Sequence, residues 1–116
     1  MIVIDIETSG GLDMKNGIWQ IGAVEFENHS NTFLQEARID DEDLIEETAL
    51  KVTNKTEEEL RNKDKQSQRE LLENFFNWVS KIENKTFVAH NTPFDYSFII
   101  LKAKKYGLNV PFSHRT

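Results

Sequence analysis

Cysteine is absent from the 116-residue sequence, and this absence excludes disulfide bonds and thiolate metal sites. Long apolar runs are also missing, since no stretch approaches the roughly 20 apolar residues that span a membrane. The N-terminus has no basic segment followed by an apolar one, so no secretory signal is predicted. Together these absences predict a cytoplasmic protein that makes no membrane contact.

An excess of positive charge is lacking as well, because 20 acidic residues outnumber 14 lysines and arginines and give a net charge of −6. A protein that coats nucleic acid by bulk electrostatics needs a basic face, so this mode of binding is disfavoured. An enzyme that acts on nucleic acid through bound metal ions is not excluded. No acid follows Asp95, and the basic residues beyond it make the C-terminal part the expected approach for a phosphate backbone: Lys102, Lys104, Lys105 and Arg115.

The first half of the chain predicts strands. Apolar, β-branched runs at residues 1–7, 18–26 and 32–39 predict three antiparallel strands with short connections, and residues 28–31 predict a turn. The length fits one small domain with a single core, spanning residues 1–116.

The second half predicts helices around one further strand. An acidic, helix-favouring segment contains a capping-box pattern at Thr56 and Glu59. Apolar residues at helical spacing predict a helix at 68–82, followed by a buried strand at 86–89. A last helix at about 94–106 ends at Gly107, and residues 109–116 are predicted to be extended or irregular. This order predicts an α/β domain with a mixed sheet, in which the first and fourth strands pair in parallel.

Two carboxylates end the first strand. Asp5 and Glu7 are two residues apart, so their side chains leave the strand on the same face. Two neighbouring carboxylates repel unless cations lie between them, and Mg²⁺ prefers oxygen ligands. The bland alternative is a solvated strand end, which is common for this pattern.

A second polar group follows the fourth strand. Ligands bind at the carboxyl ends of parallel strands in open α/β sheets, so pairing of strands one and four would bring Asp95 close to Asp5 and Glu7. The alternative for Asp95 is a residue that only stabilises a helix N-terminus. For His90 a structural role at the strand end is favoured over catalysis.

Two segments of the sequence resemble two motifs of one protein family. Each segment contains one of the two acidic groups described above. Residues 5–8, Asp-Ile-Glu-Thr, followed by 18–24, Ile-Trp-Gln-Ile-Gly-Ala-Val, resemble the first motif of the DnaQ-like (DEDD) 3′–5′ exonucleases. Residues 90–95, His-Asn-Thr-Pro-Phe-Asp, resemble the second. The segment between them, around 49–53 and 57–60, is similar too. This family includes the proofreading epsilon subunit of bacterial DNA polymerase III.

The resemblance implies a ribonuclease H-like fold and a two-metal mechanism with Mg²⁺ or Mn²⁺. It implies that Asp5 bridges two divalent cations, that Glu7 binds the cation of the attacking water, and that Asp95 holds the second. The substrates it implies are single-stranded or frayed 3′ ends of DNA or RNA, with a DNA polymerase subunit as a partner. The substrate contacts that it implies are Thr8, Ser9, Asn91 and Phe94.

A third family motif, a His or Tyr four residues before an Asp, has no match after Asp95. The resemblance therefore implies an N-terminal part that lacks the strand and helix closing the family's sheet, and a natural short form is the alternative. Weak or absent turnover by this chain alone is expected, together with self-association through an exposed sheet edge. A non-catalytic domain that binds nucleic acid or a partner protein is the alternative function.

Overall fold

The fold is seen in a computed structural model that describes residues 1–11 and 15–115. These residues form five strands and four helices in the order β1 Ile2–Thr8, β2 Ile18–Glu25, β3 Asn28–Glu36, α1 Glu47–Thr53, α2 Glu57–Leu60, α3 Gln68–Ser80, β4 Thr86–Val88, α4 Thr92–Tyr106 and β5 His114–Arg115. No helix within the described ranges is long and apolar enough to cross a membrane.

The strands form one mixed sheet in the order β3-β2-β1-β4-β5. The hairpin units β1–β2 and β2–β3 are antiparallel, while β1–β4 and β4–β5 are parallel. The predicted mixed α/β sheet is therefore confirmed, including the parallel pairing of the first and fourth strands. This pairing places the end of β1 beside the start of α4.

Alternation along β1 decides which side chains enter the core. Ile2, Ile4 and Ile6 are buried, whereas Val3 and Asp5 are exposed on the opposite face of the sheet. Side chains of a strand point alternately to its two faces, so the sequence of β1 fixes its orientation. The acids of β1 therefore lie on the face away from the isoleucine core.

Helices α3 and α4 cover the isoleucine face. α3 begins at a complete capping box, in which Ser67 and Glu70 exchange side-chain to backbone hydrogen bonds. α4 ends at Gly107, whose φ of 69° suits a residue without Cβ. Their apolar faces meet β1 and β2 in one cluster, whose largest fully buried side chains include Phe75, Phe87 and Phe98.

A smaller cluster lies beside this core and involves α1 and α2. Trp19, Ile39 and Leu60 are buried together, and Ile45 and Leu50 pack against them. The helices α1 and α2 are short, so they depend on this apolar contact rather than on their own helix propensity. The cluster thus fixes the segment after β3 against the start of β2.

A buried ion pair links the segment after β3 to α4. Lys102 Nζ lies 2.6 Å from Asp43 Oδ1, and the two side chains are 5% and 3% exposed. The other oxygen of Asp43 accepts hydrogen bonds from Gln68 Nε2 at 2.9 Å and from the Asp40 backbone N–H at 2.8 Å. Gln68 Oε1 in turn accepts from the backbone N–H of Ile18. One network therefore joins β2, the loop at residues 40–43, α3 and α4.

The structure differs from the sequence-based predictions, or goes beyond them, in three details. Residues 28–31 belong to β3 instead of forming a turn, because the chain reverses at residues 26–27. The C-terminal segment, predicted to be extended or irregular, contains the short strand β5, which pairs with β4. The expected basic approach for phosphate is weakened, because Lys102 is buried against Asp43 and Lys105 pairs with Asp40 and Glu42.

Candidate active site

The end of β1 presents two acids at the edge of the sheet. Asp5 is exposed and Glu7 is half-buried. Burial and the neighbouring Asp5 carboxylate raise the pKa of Glu7 above its ordinary value. The two carboxylates therefore repel each other, as expected for two acids on one face of a strand.

Asp95 reaches the same end of β1 from the first turn of α4. It is only 7% exposed, and its carboxylate accepts a hydrogen bond from the backbone N–H of Ile6. Burial, and to a smaller extent the charges of Asp5 and Glu7, raise the pKa of Asp95 to about 6, against the lowering effect of the Ile6 hydrogen bond. The parallel pairing of β1 with β4 thus brings three acids into electrostatic contact.

The donor set fits a hard divalent cation. Carboxylate oxygens are the ligands that Mg²⁺ and Mn²⁺ take, and a cation would offset the charge repulsion that, together with the larger effect of burial, raises the pKa values of Glu7 and Asp95. Within residues 1–11 and 15–115, no group of three His, Asp or Glu side chains closes around one metal position. The three acids are therefore coupled through their charges without forming a closed ligand cage.

Hydrogen bonds of a buried serine hold the turn after β1 in place. Ser9 is fully buried, and its hydroxyl donates to the Leu44 carbonyl at 2.6 Å and accepts from the Gly17 N–H at 2.9 Å. Asn16 Nδ2 also donates to the Leu44 carbonyl, at 2.9 Å. The side chain of Ser9 therefore fixes the turn against the segment that precedes α1.

A pocket of about 420 Å³ lies between this turn, α1 and the start of α4. Glu7 and Thr8 line one side, and the remaining lining side chains are mostly small or apolar: Ile6, Gly10, Gly11, Thr48, Ala49, Val52, Thr53 and Phe94, together with Glu46. Such a mixture suits a flat, partly apolar group that carries a few polar atoms. One of the three acids, Glu7, thus forms part of the pocket wall.

The predicted substrate contacts do not all reach this pocket. Thr8 and Phe94 line it. Ser9 and Asn91 are not among its lining residues: Ser9 is buried, and Asn91 is exposed at the start of α4, where its carbonyl accepts from Phe94 and Asp95. Gly10 and Gly11, which follow Ser9 in the turn, line the pocket, and the roles of Ser9 and Asn91 as substrate contacts stay predictions. His90, for which a structural role was favoured, is exposed.

Sequence reasoning missed a β-bulge at the site. Glu7 pairs with Gln20 and Thr8 with Ile18, so Trp19 is the extra residue between them. Its indole N–H donates to the Thr8 carbonyl at 3.3 Å, and Lys55 Nζ lies 5.3 Å from the centre of its ring. The signal was present, because two consecutive apolar residues interrupt the alternation of β2. Trp19 therefore anchors the end of β1.

Glu46 was missed for a different reason. It precedes α1 and lines the pocket, and its Oε2 accepts from the Gly11 N–H at 2.5 Å. Glu46 is one of several acids between β3 and α3, and no local pattern distinguishes it from Glu42 or Glu47. Only the folding of residues 44–46 against the turn after β1 brings it to the pocket.

Comparisons with known proteins agree with one another. The sequence profile of the exonuclease family RNase_T matches residues 2–116. The DNA polymerase III of PolC type from Caldanaerobacter subterraneus subsp. tengcongensis is 35% identical over 109 residues, which is 94% of this chain and 7% of that protein. The PolC-type polymerase of Thermotoga petrophila is 34% identical over 104 residues, 90% of this chain and again 7% of the relative.

The fold has solved counterparts. E. coli exonuclease I, in complex with a 5cy-dA13 oligonucleotide, superposes with a TM-score of 0.78 at 15% sequence identity. The match covers 99% of this chain and 27% of that structure. At this identity the likeness concerns the fold alone. The chain spans about 7% of the length of the polymerase relatives that it matches.

Proposed function

The chain belongs to the RNase_T exonuclease family, and from this premise we propose that it forms the acidic metal-binding part of a 3′–5′ exonuclease. The reaction is hydrolysis of the last phosphodiester bond at a free 3′ end, which releases a nucleoside 5′-monophosphate. The single observation that carries the proposal is the position of Asp95. It is a buried carboxylate at the start of α4 whose pKa is raised by burial and by the charges of Asp5 and Glu7.

In this proposal Asp5, Glu7 and Asp95 hold divalent cations, Mg²⁺ or Mn²⁺. When bound, such cations supply stabilisation of the attacking and leaving oxygens of phosphodiester hydrolysis. The Ile6 N–H keeps the Asp95 carboxylate at the end of β1, and the Trp19 indole N–H donates to the Thr8 carbonyl at the same strand end. These contacts fix the acids before substrate arrives, which limits the ordering cost of binding.

The pocket is proposed to receive the 3′-terminal nucleotide. Phe94 and Val52 offer apolar surface for a base, and Thr8 lies beside the proposed ligand Glu7. The PolC-type relatives and the oligonucleotide complex of exonuclease I favour single-stranded DNA as the substrate and a DNA polymerase as the partner. Proofreading of newly synthesised ends, in the cytoplasm, is the corresponding role.

The activity has a direct test on 5′-labelled single-stranded oligonucleotides with Mn²⁺. The family's third motif has no match after Asp95 in these 116 residues, so slow turnover is expected for this chain. A longer polypeptide that carries a downstream His and Asp should be faster by about 10²–10⁴, the usual contribution of a general base. Equal activity of the two would show that the proposed mechanism is wrong.

The direction of cleavage needs two further substrates. An oligonucleotide with a 3′-phosphate should resist digestion, and a closed circular single strand should not be cut at all. Cleavage of the circle at the rate of the linear strand would indicate an endonuclease. The alternative of a non-catalytic binding domain predicts oligonucleotide binding that is unchanged by Mn²⁺ and by Asp5→Asn.

A further inference from the structure

Glu46 contributes a second carboxylate to the pocket that contains Glu7. Its backbone N–H donates to the Ser9 carbonyl at 2.8 Å, and its Oε2 accepts from the Gly11 N–H at 2.5 Å. Two residues earlier, the Leu44 backbone N–H donates to the Lys15 carbonyl, and the Leu44 carbonyl accepts from Asn16 Nδ2. The carboxylate is therefore held in place by the fold and not by its own rotamer preference alone.

Gly10 provides the space that Glu46 occupies. A Cβ atom on Gly10 would lie 1.6 Å from Glu46 Oε2, which is far inside contact distance. Gly10 also has a φ of 151°, a conformation that other residues rarely adopt. Gly10 thus allows this carboxylate to lie over the turn.

The charged side chains that line the pocket accept hydrogen bonds and donate none. Among the described residues, no Lys, Arg or His lines it, and its two charged members are both carboxylates. An ionised carboxylate accepts hydrogen bonds and donates none. Oε1 of Glu46 accepts no hydrogen bond from the described residues, whereas Oε2 is engaged by Gly11. A ligand group that faces Glu46 is therefore favoured when it donates a hydrogen bond and disfavoured when it can only accept one.

We propose that Glu46 is a specificity-determining residue, which selects a 3′-terminal nucleotide whose pocket-facing group donates a hydrogen bond. This inference rests on the proposed function, because it takes the pocket to be the nucleotide site. The 3′-hydroxyl is a donor common to all of these nucleotides, so a preference has two chemical sources, a 2′-hydroxyl of the sugar or an exocyclic amino group of the base. Hydrogen bonds to an ionised acceptor are about twice as strong as neutral ones. A site built for such a bond rejects the analogue that lacks it.

The test is equilibrium binding of four nucleoside 5′-monophosphates to the 116-residue chain with Mn²⁺ by titration calorimetry. CMP against UMP, and dCMP against dUMP, compare a base amino group with a carbonyl. CMP against dCMP, and UMP against dUMP, compare a 2′-hydroxyl with hydrogen. Along one of these two axes the nucleotide with the 4-amino group, or the one with the 2′-hydroxyl, is expected to bind about tenfold tighter or more.

Three variants separate specificity from structure. Glu46→Gln keeps a carbonyl for the Gly11 N–H but loses the charge, so the preference should fall to about twofold. Glu46→Asp keeps the charge but withdraws it by one methylene group, and the preference should also fall. Glu47→Gln is the matched control, because it removes the same charge from the next residue, which is exposed and does not line the pocket. Its preference should equal that of the original chain.

The possible negative results distinguish a failure of the Glu46 role from a failure of the proposed function. Nucleotides that bind equally along both axes, or a preference that persists in Glu46→Gln, would overturn the role of Glu46 and leave the proposed function standing. If no nucleotide binds in the presence of Mn²⁺, the proposed function fails at this pocket, and the inference fails with it. A preference lost equally in Glu46→Gln and Glu47→Gln would show a general charge effect and would also overturn the role of Glu46.

Discussion

The buried ion pair of Lys102 and Asp43 gives the sharpest prediction about stability. Lys102→Met should destabilise the chain strongly, since it leaves the Asp43 carboxylate, 3% exposed, without its counter-charge. Removing one partner of a buried pair typically costs about 3–5 kcal/mol. We expect a value of about 3 kcal/mol, because Gln68 and the Asp40 N–H still donate to the remaining carboxylate.

This loss is large for a domain of this size. Domains are stable by about 5–15 kcal/mol in total, and for a domain near 100 residues each 1 kcal/mol moves the melting temperature by about 4–8 °C. The variant should therefore unfold at least about 12 °C below the original chain. Urea unfolding, followed by far-ultraviolet circular dichroism, measures the free energy directly, and an unchanged m-value would show that both states keep their compactness.

A double-mutant cycle tests whether the pair itself is responsible. Asp43→Asn alone should cost a similar amount, but the double variant with Lys102→Met should cost about 2 kcal/mol less than the sum, because no unpaired charge remains. Lys63→Met is the matched control. It breaks an exposed pair with Asp41, whose side chains are 66% and 77% exposed, and should cost less than about 1 kcal/mol. If Lys102→Met costs no more than Lys63→Met, or if the cycle is additive, the reasoning is refuted.

Three further predictions concern metal binding, acid stability and assembly. Asp5→Asn should abolish Mn²⁺ binding measured by calorimetry while leaving the melting temperature equal or higher, because a like-charge repulsion is removed; metal binding of normal strength would contradict the ligand role. Burial tends to raise the pKa of Asp40, but hydrogen bonds from Lys105 and Tyr106 outweigh it and lower this pKa below the ordinary value of 3.8. The stability that the Asp40 carboxylate contributes is therefore present above pH 3.8 and is lost as the pH falls further. Asp40→Asn should accordingly show a smaller loss of unfolding free energy between pH 5 and pH 3, and an identical loss would argue against this assignment. Self-association through an exposed sheet edge should appear in sedimentation velocity as a concentration-dependent species, and a monomer at all concentrations would count against it.

Local sequence patterns determined most of the secondary structure. The alternation of Ile2, Ile4 and Ile6 with Val3 and Asp5 requires only that β1 be a strand, and the structure has that orientation. Neighbouring residues also decide the capping box before α3 and the glycine after α4. These features depend on interactions over two to four residues, so the order of amino acids was enough to predict them.

The acids of the site were only partly predictable. Placing Asp5 and Glu7 on one face follows from the period of a strand. The approach of Asp95 additionally needed β1 and β4 to be neighbours, which the topology of the fold implied and the structure shows. The roles of these acids as metal ligands stay predictions.

Tertiary structure alone decided the contacts between distant segments. Asp43 and Lys102 are 59 positions apart, and Glu46 and Gly11 are 35 apart. No local pattern marks these residues, because a charged side chain on a polar segment has the same sequence appearance whether it is solvated or buried. Which acid enters the core and which reaches the pocket depends on how β3, α1 and α4 pack, and the energy of burying a charge depends on the partner that packing supplies.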